Sequence, residues 1–208
     1  SSDLMLGYGF DIADPTLATF LEAQRQDRRR RLEAMGARLA ALGVPVDMTA
    51  VLAGEGGGKA LGRPLLAAAL VAAGHVTSIA AAFERFLASG RPAFIARRGA
   101  TPFAVVGIVH AAGGVVSVAH PGKLASDALI EPLAAAGLDA VEVFHPDHDA
   151  GAVARYAARA AALGLAATGG SDYHGVGSGR VSALGRVTLP SEAFGTLQTR
   201  WPRVFAAS

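Results

Sequence analysis

The chain has 208 residues, of which 51% are hydrophobic and 17% are charged, and its formal net charge is +2. This composition is typical of a globular protein with a sizeable core and excludes an intrinsically disordered chain. The sequence contains no cysteine, which excludes disulfides and thiolate metal sites, so any metal ligands must be His, Asp or Glu. The nearly balanced charge gives weak support to nonspecific binding of nucleic acid.

The first ninety residues combine one short strand with a largely helical pattern. Residues 4–10 are short and apolar, which predicts a strand. Apolar residues at helical spacing then predict helices over residues 17–42, 65–73 and 78–87. No signal peptide is apparent, and the longest apolar runs are too short to span a bilayer, so we expect a soluble cytoplasmic protein without membrane contacts.

From residue 101 the pattern becomes a regular alternation of helix and strand. Three helical segments, each ending close to a glycine, are followed by the apolar runs VVSVAHP, DAVEVFHP and AATGGSDYHG. Such runs are typical of buried strands in a parallel sheet, so the alternation predicts an α/β fold with right-handed crossovers. We expect residues 1–13 and 91–208 to form this α/β part, and residues 14–90 to form a helical subdomain.

Each of the three predicted strands is followed by a histidine, namely His120, His145 and His174. The carboxyl ends of parallel strands meet at one edge of a sheet, where ligands bind in α/β folds, so these imidazoles should lie together. Imidazole suits zinc, manganese or iron. We predict that His120 is a metal ligand and a catalytic residue; the alternative is a histidine that only forms a hydrogen bond at a strand end.

The stretch TGGSDYHG, residues 168–175, places Asp172 and His174 two positions apart. In extended backbone both side chains point the same way, so both could bind one metal cluster, and the preceding glycines permit close approach of the backbone to a ligand. Ser171 could donate a hydrogen bond to a bound anion. We predict that Asp172 and His174 are metal ligands and catalytic residues; the alternative is an Asx-type turn with a surface histidine.

Other polar residues near the strand ends are candidates for substrate contacts. His145 and His148 could each supply a ligand, a proton donor or a substrate contact, or could belong to a loop whose Asp147 or Asp149 caps the next helix. Glu142 lies inside an apolar strand, and a buried carboxylate needs a partner. It could orient a ligand histidine or form a structural ion pair.

The residue types favour metal-assisted hydrolysis of an anionic substrate. Arg97, Arg98 and Lys123 lie near strand ends and are candidates for binding phosphate. Clustered divalent metals lower the pKa of bound water and neutralise the charge that develops on phosphorus. Neither the GxSxG motif of serine hydrolases nor a Rossmann fingerprint occurs in the sequence.

The segments LGYGFD, GRPLLAAALVAAG, AHPGK, GLDAVEVFHPDHD and TGGSDYHG resemble the PHP (polymerase and histidinol phosphatase) superfamily of metal-dependent phosphoesterases, and its TrpH-like branch in particular. The resemblance implies part of a distorted seven-stranded β/α barrel with an inserted helical subdomain, and two or three divalent metals (Mn, Zn, Fe or Mg) at the carboxyl-end rim. It matches His120 to the third ligand motif, and Asp172 and His174 to the D-x-H motif.

The resemblance also implies a substrate that is a phosphorylated small molecule or a short oligonucleotide. Members of the branch are similar to nucleotide 3′,5′-bisphosphate phosphatases and to exonucleases that degrade RNA from the 5′ end. The alternative is a non-catalytic domain that binds nucleotide or phosphate on the same scaffold. Binding without turnover would distinguish this alternative from an enzyme.

The sequence departs from the family in its first motifs. The N-terminal H-x-H motif, the T-D-H-D motif and a ligand glutamate are absent, and Leu4 and Leu65 stand where many relatives carry histidine. This departure predicts either a missing N-terminal segment or a reduced relative with impaired activity. Because a barrel without its first strands has an open edge, a homodimer is a further expectation.

Overall fold

The computed structural model describes residues 5–53, 61–124, 127–173 and 184–201. The chain divides into two compact units, one formed by Ser1–Ala18 with Ala100–Ser208 and the other by Thr19–Gly99. Within the part of the chain that the structure describes, no helix is both long enough and apolar enough to cross a bilayer.

The unit formed by residues 19–99 is helical. Helix α1 spans Pro15–Ala41, and it begins where the Asp14 carboxylate accepts a hydrogen bond from the Leu17 amide at 2.7 Å, as an N-cap does. The helices that follow are α2 Met48–Ala53, α3 Arg63–Ala72 and α4 Ile79–Ala82, with a π-helical turn at Phe83–Leu87. Their core contains the fully buried residues Met35, Leu39, Leu66, Leu70 and Leu87.

The other unit carries the sheet. Its elements after strand β1 (Met5–Tyr8) are α5 Pro102–Ala111, β2 Val115–Val118, α6 Pro121–Leu124, α7 Asp127–Ala135, β3 Ala140–Phe144, α8 Ala150–Ala162, β4 Ala166–Gly169 and α9 Ser191–Arg200. The helix–strand alternation from residue 101 therefore has the order that the sequence predicts. The α/β class is confirmed.

The four described strands pair in the order β1-β2-β3-β4. Strands β2, β3 and β4 are parallel, whereas β1 runs antiparallel to β2. The helix–strand alternation predicts the three parallel strands, but apolarity alone does not reveal the direction of β1. The seven-stranded barrel that the family resemblance implies stays a prediction, because four strands are what the described residues form.

Local signals fix the ends of the crossover helices. The Thr101 hydroxyl accepts a hydrogen bond from the Ala104 amide at 3.2 Å, and Asp149 accepts one from the Ala152 amide at 2.7 Å, so both cap helix starts. Gly164, directly after α8, has φ +67, a conformation that favours glycine. Each parallel strand therefore begins and ends within a few residues of its predicted position.

The sheet carries polar side chains on strands β1, β2 and β4. The hydroxyls of Ser117 on β2 and Thr168 on β4 lie 2.8 Å apart, and both residues are buried. Burial, together with the charge of Glu142, raises the pKa of Tyr8 on β1. The ring of Trp201 stacks on Tyr8 with ring centroids 6.0 Å apart.

Candidate functional site

The carboxyl ends of the parallel strands bring together three of the residues that the sequence marks. His120 follows β2, His145 follows β3 directly, and Asp172 follows β4. The ring centroids of His120 and His145 are 5.2 Å apart, and His145 Nε2 lies 3.4 Å from Asp172 Oδ2. We call His120, His145 and Asp172 the rim cluster. The expected proximity of the strand-end imidazoles is seen for His120 and His145, whereas His174 lies outside the described residues.

The backbone is strained at two members of the rim cluster. Among the described residues, His120 with φ 26 and Asp172 with φ 48 are the non-glycine residues that adopt positive φ. This region costs an L-residue of the order of 1–3 kcal/mol and is concentrated at functional sites. The two strained residues are also the two described residues that the family resemblance marks as metal ligands.

A buried carboxylate holds the strained turn at His120. The His120 amide donates a hydrogen bond to Glu142 Oε2 at 2.7 Å. Glu142 lies on the neighbouring strand β3 and is only 7% exposed. The carboxylate therefore fixes the backbone of His120, whereas the sequence suggested that Glu142 would orient a histidine or form an ion pair.

His145 is the buried centre of the rim cluster, with a fully buried side chain. The Asp147 amide donates a hydrogen bond to His145 Nδ1 at 3.1 Å, so Nδ1 is the acceptor and the proton of a neutral ring is on Nε2. Nε2 faces Asp172 Oδ2 at 3.4 Å, which is longer than a normal hydrogen bond. Burial lowers the pKa of His145, and the carboxylates of Asp172 and Asp147 oppose this effect.

His148 lies next to His145 and is also buried, with ring centroids 5.4 Å apart. Its Nδ1 lies 2.9 Å from the Val143 carbonyl oxygen, so Nδ1 donates and Nε2 carries the lone pair. That lone pair has no hydrogen-bond partner among the described residues. It faces Gly122, where an added Cβ would lie 3.0 Å from Nε2, and Tyr156 packs on the ring at 5.1 Å.

The remaining predicted site residues lie in less defined surroundings. Ser171 is half-buried beside Asp172, and Lys123 belongs to the short helix α6. His174 lies outside the described residues. Arg97 and Arg98 belong to the helical unit. Their roles in binding substrate stay predictions.

The donor chemistry of the rim cluster fits a divalent metal in kind. His120 supplies an imidazole and Asp172 a carboxylate, the donors that zinc, manganese and iron accept. Both residues adopt a positive backbone φ, which is unusual for residues other than glycine. The described residues contain no group of three or more His, Asp or Glu side chains arranged to hold a metal. A complete set of metal ligands therefore requires a residue outside the described part of the chain, and His174 is the predicted residue.

The opposite end of the sheet holds a second histidine–carboxylate pair. His110 Nε2 lies 2.7 Å from Asp139 Oδ2, and the same oxygen accepts a hydrogen bond from the Val116 amide at 2.8 Å. Asp139 precedes β3, so this pair lies at the amino ends of the parallel strands. Its side chains are 37% and 26% exposed, in contrast to the buried His145. The geometry is that of a carboxylate that ties a helix to a strand.

Sequence reasoning did not identify several polar residues around the cluster. The Ser117–Thr168 contact joins residues 51 positions apart, and Tyr156 carries a phenol that donates to Asp127 at 2.7 Å. Serine and threonine are common in strands, and Tyr156 occupies a core position of an amphipathic helix, so neither position stands out. A buried polar residue in an apolar strand was the available signal, and it identified only Glu142.

Fold and rim together define an α/β protein with a histidine–carboxylate cluster at the carboxyl ends of parallel strands, where α/β enzymes bind their ligands. Comparisons with known proteins agree. A 3′,5′-nucleoside bisphosphate phosphatase of Chromobacterium violaceum is 31% identical over 180 residues, which are 84% of this chain and 63% of the phosphatase. The 5′-3′ exoribonuclease Rnm of Escherichia coli is 29% identical over 82% of this chain and 59% of its own length.

A solved structure from Bifidobacterium adolescentis, assigned as a metal-dependent phosphoesterase, superposes with a TM-score of 0.78 at 31% identity and covers 94% of this chain and 70% of its own. No family model matches the chain. The chain belongs to the PHP-type phosphoesterase family. It spans 63% of the length of the phosphatase and 59% of the length of the exoribonuclease. The activity of this chain is therefore proposed below.

Proposed function

We propose that this protein is a metal-dependent phosphoesterase that hydrolyses phosphate esters of nucleotides or short oligonucleotides. The observation that carries the proposal is the rim cluster, in which His120 and Asp172 adopt strained backbone conformations around the buried His145. Strain of this kind persists only where the surrounding structure enforces it, and it is concentrated at functional sites. The phosphoesterases among the relatives support the reaction class.

In this proposal His120 and Asp172, with His174, hold the divalent metal. A bound divalent metal supplies Lewis-acid polarisation of the phosphoryl group and a water of lowered pKa. Glu142 keeps the His120 backbone in place, and His145 contacts both His120 and Asp172. Ser171, His145, His148, Arg97, Arg98 and Lys123 are proposed to contact the anionic substrate or to support the residues that do.

Two of the relatives support two alternative substrates for this protein. One relative is named a 3′,5′-nucleoside bisphosphate phosphatase and another a 5′-3′ exoribonuclease. Both names describe enzymes that act on phosphate esters of nucleotides.

We also propose that the helical unit, residues 19–99, is a subdomain inserted into the sheet-bearing unit, because the sheet-bearing unit is formed by residues on both sides of it in the sequence.

The test is phosphate release from adenosine 3′,5′-bisphosphate and nucleotide release from a 5′-phosphorylated RNA oligonucleotide, each with and without Mn²⁺. We expect turnover of one substrate that depends on Mn²⁺ and is lost in Asp172→Asn. Asp139→Asn is the matched control, since it changes a carboxylate at the other end of the same sheet. Binding of either substrate without turnover would contradict the proposal and favour a non-catalytic domain.

A further inference from the structure

We propose that His145 is a positioning residue that holds the Asp172 carboxylate in place through its Nε2–H group. The pair links the ends of two neighbouring parallel strands, because His145 follows β3 directly and Asp172 follows β4. The inference rests on the proposed function, in which Asp172 binds the metal. It assigns to His145 a contact with Asp172 in place of the substrate contact that the sequence suggested.

The hydrogen-bond pattern of His145 selects the ring tautomer that this role needs. The Asp147 amide can only donate, and it lies 3.1 Å from Nδ1, so Nδ1 must offer its lone pair. In a neutral ring the proton is then on Nε2, the atom that faces Asp172 Oδ2. The Asp147 backbone amide therefore places the ring proton of His145 on the side that faces Asp172. Residues around metal sites orient the metal ligands in the same way.

Burial makes this arrangement specific. The His145 side chain is fully buried and the Asp172 side chain is 15% exposed, so water competes little for the contact. The rings of His120 and His148 both pack against His145, at centroid distances of 5.2 and 5.4 Å, and restrict its rotation. At 3.4 Å the two atoms are in contact but not hydrogen-bonded in this structure, and hydrogen bonds at catalytic sites often tighten only when a ligand arrives.

The backbone of Asp172 explains why such a partner is useful. Asp172 has a φ of 48, a backbone conformation that is unfavourable for an L-residue. A donor on the neighbouring strand end favours the one orientation of the carboxylate in which Oδ2 faces His145. Loss of the donor would remove this restraint on the carboxylate while the other contacts of the strand ends remain.

The test compares Mn²⁺ affinity, measured by calorimetric titration of the full chain, in the wild type, His145→Leu and His145→Gln. We expect His145→Leu to weaken Mn²⁺ binding by about 10–100-fold, the usual loss for an outer partner. Gln can accept from the Asp147 amide and donate to Asp172, so His145→Gln should keep most of the affinity. The control is His110→Leu, which removes the other His–Asp pair and should leave the affinity unchanged.

A second measurement does not depend on whether the leucine variant folds. Long-range ¹⁵N–¹H NMR correlations of the metal-free wild type should show His145 as the neutral Nε2-protonated tautomer, with ring shifts that change in Asp172→Asn. An Nδ1-protonated ring would overturn the inference. So would Mn²⁺ binding that His145→Leu leaves unaltered, although the proposed function would then stand. Absence of Mn²⁺ binding by the wild type would overturn both.

Discussion

The two ends of the parallel sheet carry the same pair of residue types in different surroundings. At the amino end, His110 and Asp139 are partly exposed, and the carboxylate also accepts a hydrogen bond from the Val116 amide. At the carboxyl end, His145 is fully buried and faces an aspartate whose backbone is strained. A relaxed, well-bonded pair stabilises the fold, whereas a strained, buried one is typical of a functional site.

The largest difference between the two ends should appear when each aspartate is changed. Asp172→Asn should lower Mn²⁺-dependent turnover by more than about 100-fold, because it alters a proposed metal ligand. Loss of a residue that only supports a ligand costs up to about 100-fold. Asp139→Asn should leave turnover close to wild type and lower the free energy of unfolding by about 1 kcal/mol. Steady-state rates and urea unfolding of both variants check the comparison. An equal loss of turnover in the two variants would contradict the assignment of the metal site to the carboxyl end of the sheet.

A close approach of backbones at the carboxyl end gives the next test. A Cβ at Gly169 would lie 2.5 Å from the Phe144 Cβ and 2.7 Å from the Phe144 carbonyl oxygen, at an irregularity between β3 and β4. Gly169→Ala should therefore destabilise the protein by about 1–3 kcal/mol and disturb Asp172 as well. Gly170→Ala is the matched control, since its Cβ would meet nothing within 4 Å. Thermal unfolding and Mn²⁺ affinity of the pair measure both effects, and equal stability of the two variants would contradict the geometry.

The buried carboxylate of Glu142 provides a test of intermediate size. Glu142→Leu leaves the His120 amide without its acceptor and should lower the free energy of unfolding by about 1–3 kcal/mol. Glu142→Gln keeps an acceptor oxygen and should cost less. Urea unfolding of the two variants is the measurement. If the leucine variant is as stable as the glutamine variant, the hydrogen bond does not hold the strained turn.

The order of elements and part of the site could be predicted from the sequence because their signals are local. Apolar runs, caps and terminal glycines located the parallel strands, and the histidine after each strand indicated the rim. The direction of β1 and the bond from His120 to Glu142 depend on residues far apart in the chain, so periodicity does not contain them. The positive φ of Asp172 could not be predicted either, because aspartate tolerates this conformation without requiring it.

The smallest expected effect concerns Tyr8 and pH. Burial and the nearby charge of Glu142 raise the pKa of the Tyr8 phenol above its ordinary value of 10.0. The folded state thus holds this proton more tightly than the unfolded state, so the contribution to stability is fully present below pH about 10 and is lost as the pH rises through the folded-state pKa. Ultraviolet titration of the phenolate, with Tyr8→Phe as the reference, measures it. Glu142→Gln should bring the pKa down towards its ordinary value, and no change would remove Glu142 as a cause.

The metal site is tested most directly by anomalous X-ray diffraction from crystals of the chain grown with Mn²⁺. We expect an anomalous peak at the rim cluster, beside His120 and Asp172, and none beside Asp139 at the other end of the sheet. A peak only at Asp139, or no peak at His120 and Asp172 in crystals that contain Mn²⁺ elsewhere, would contradict the assignment of the carboxyl end as the metal site.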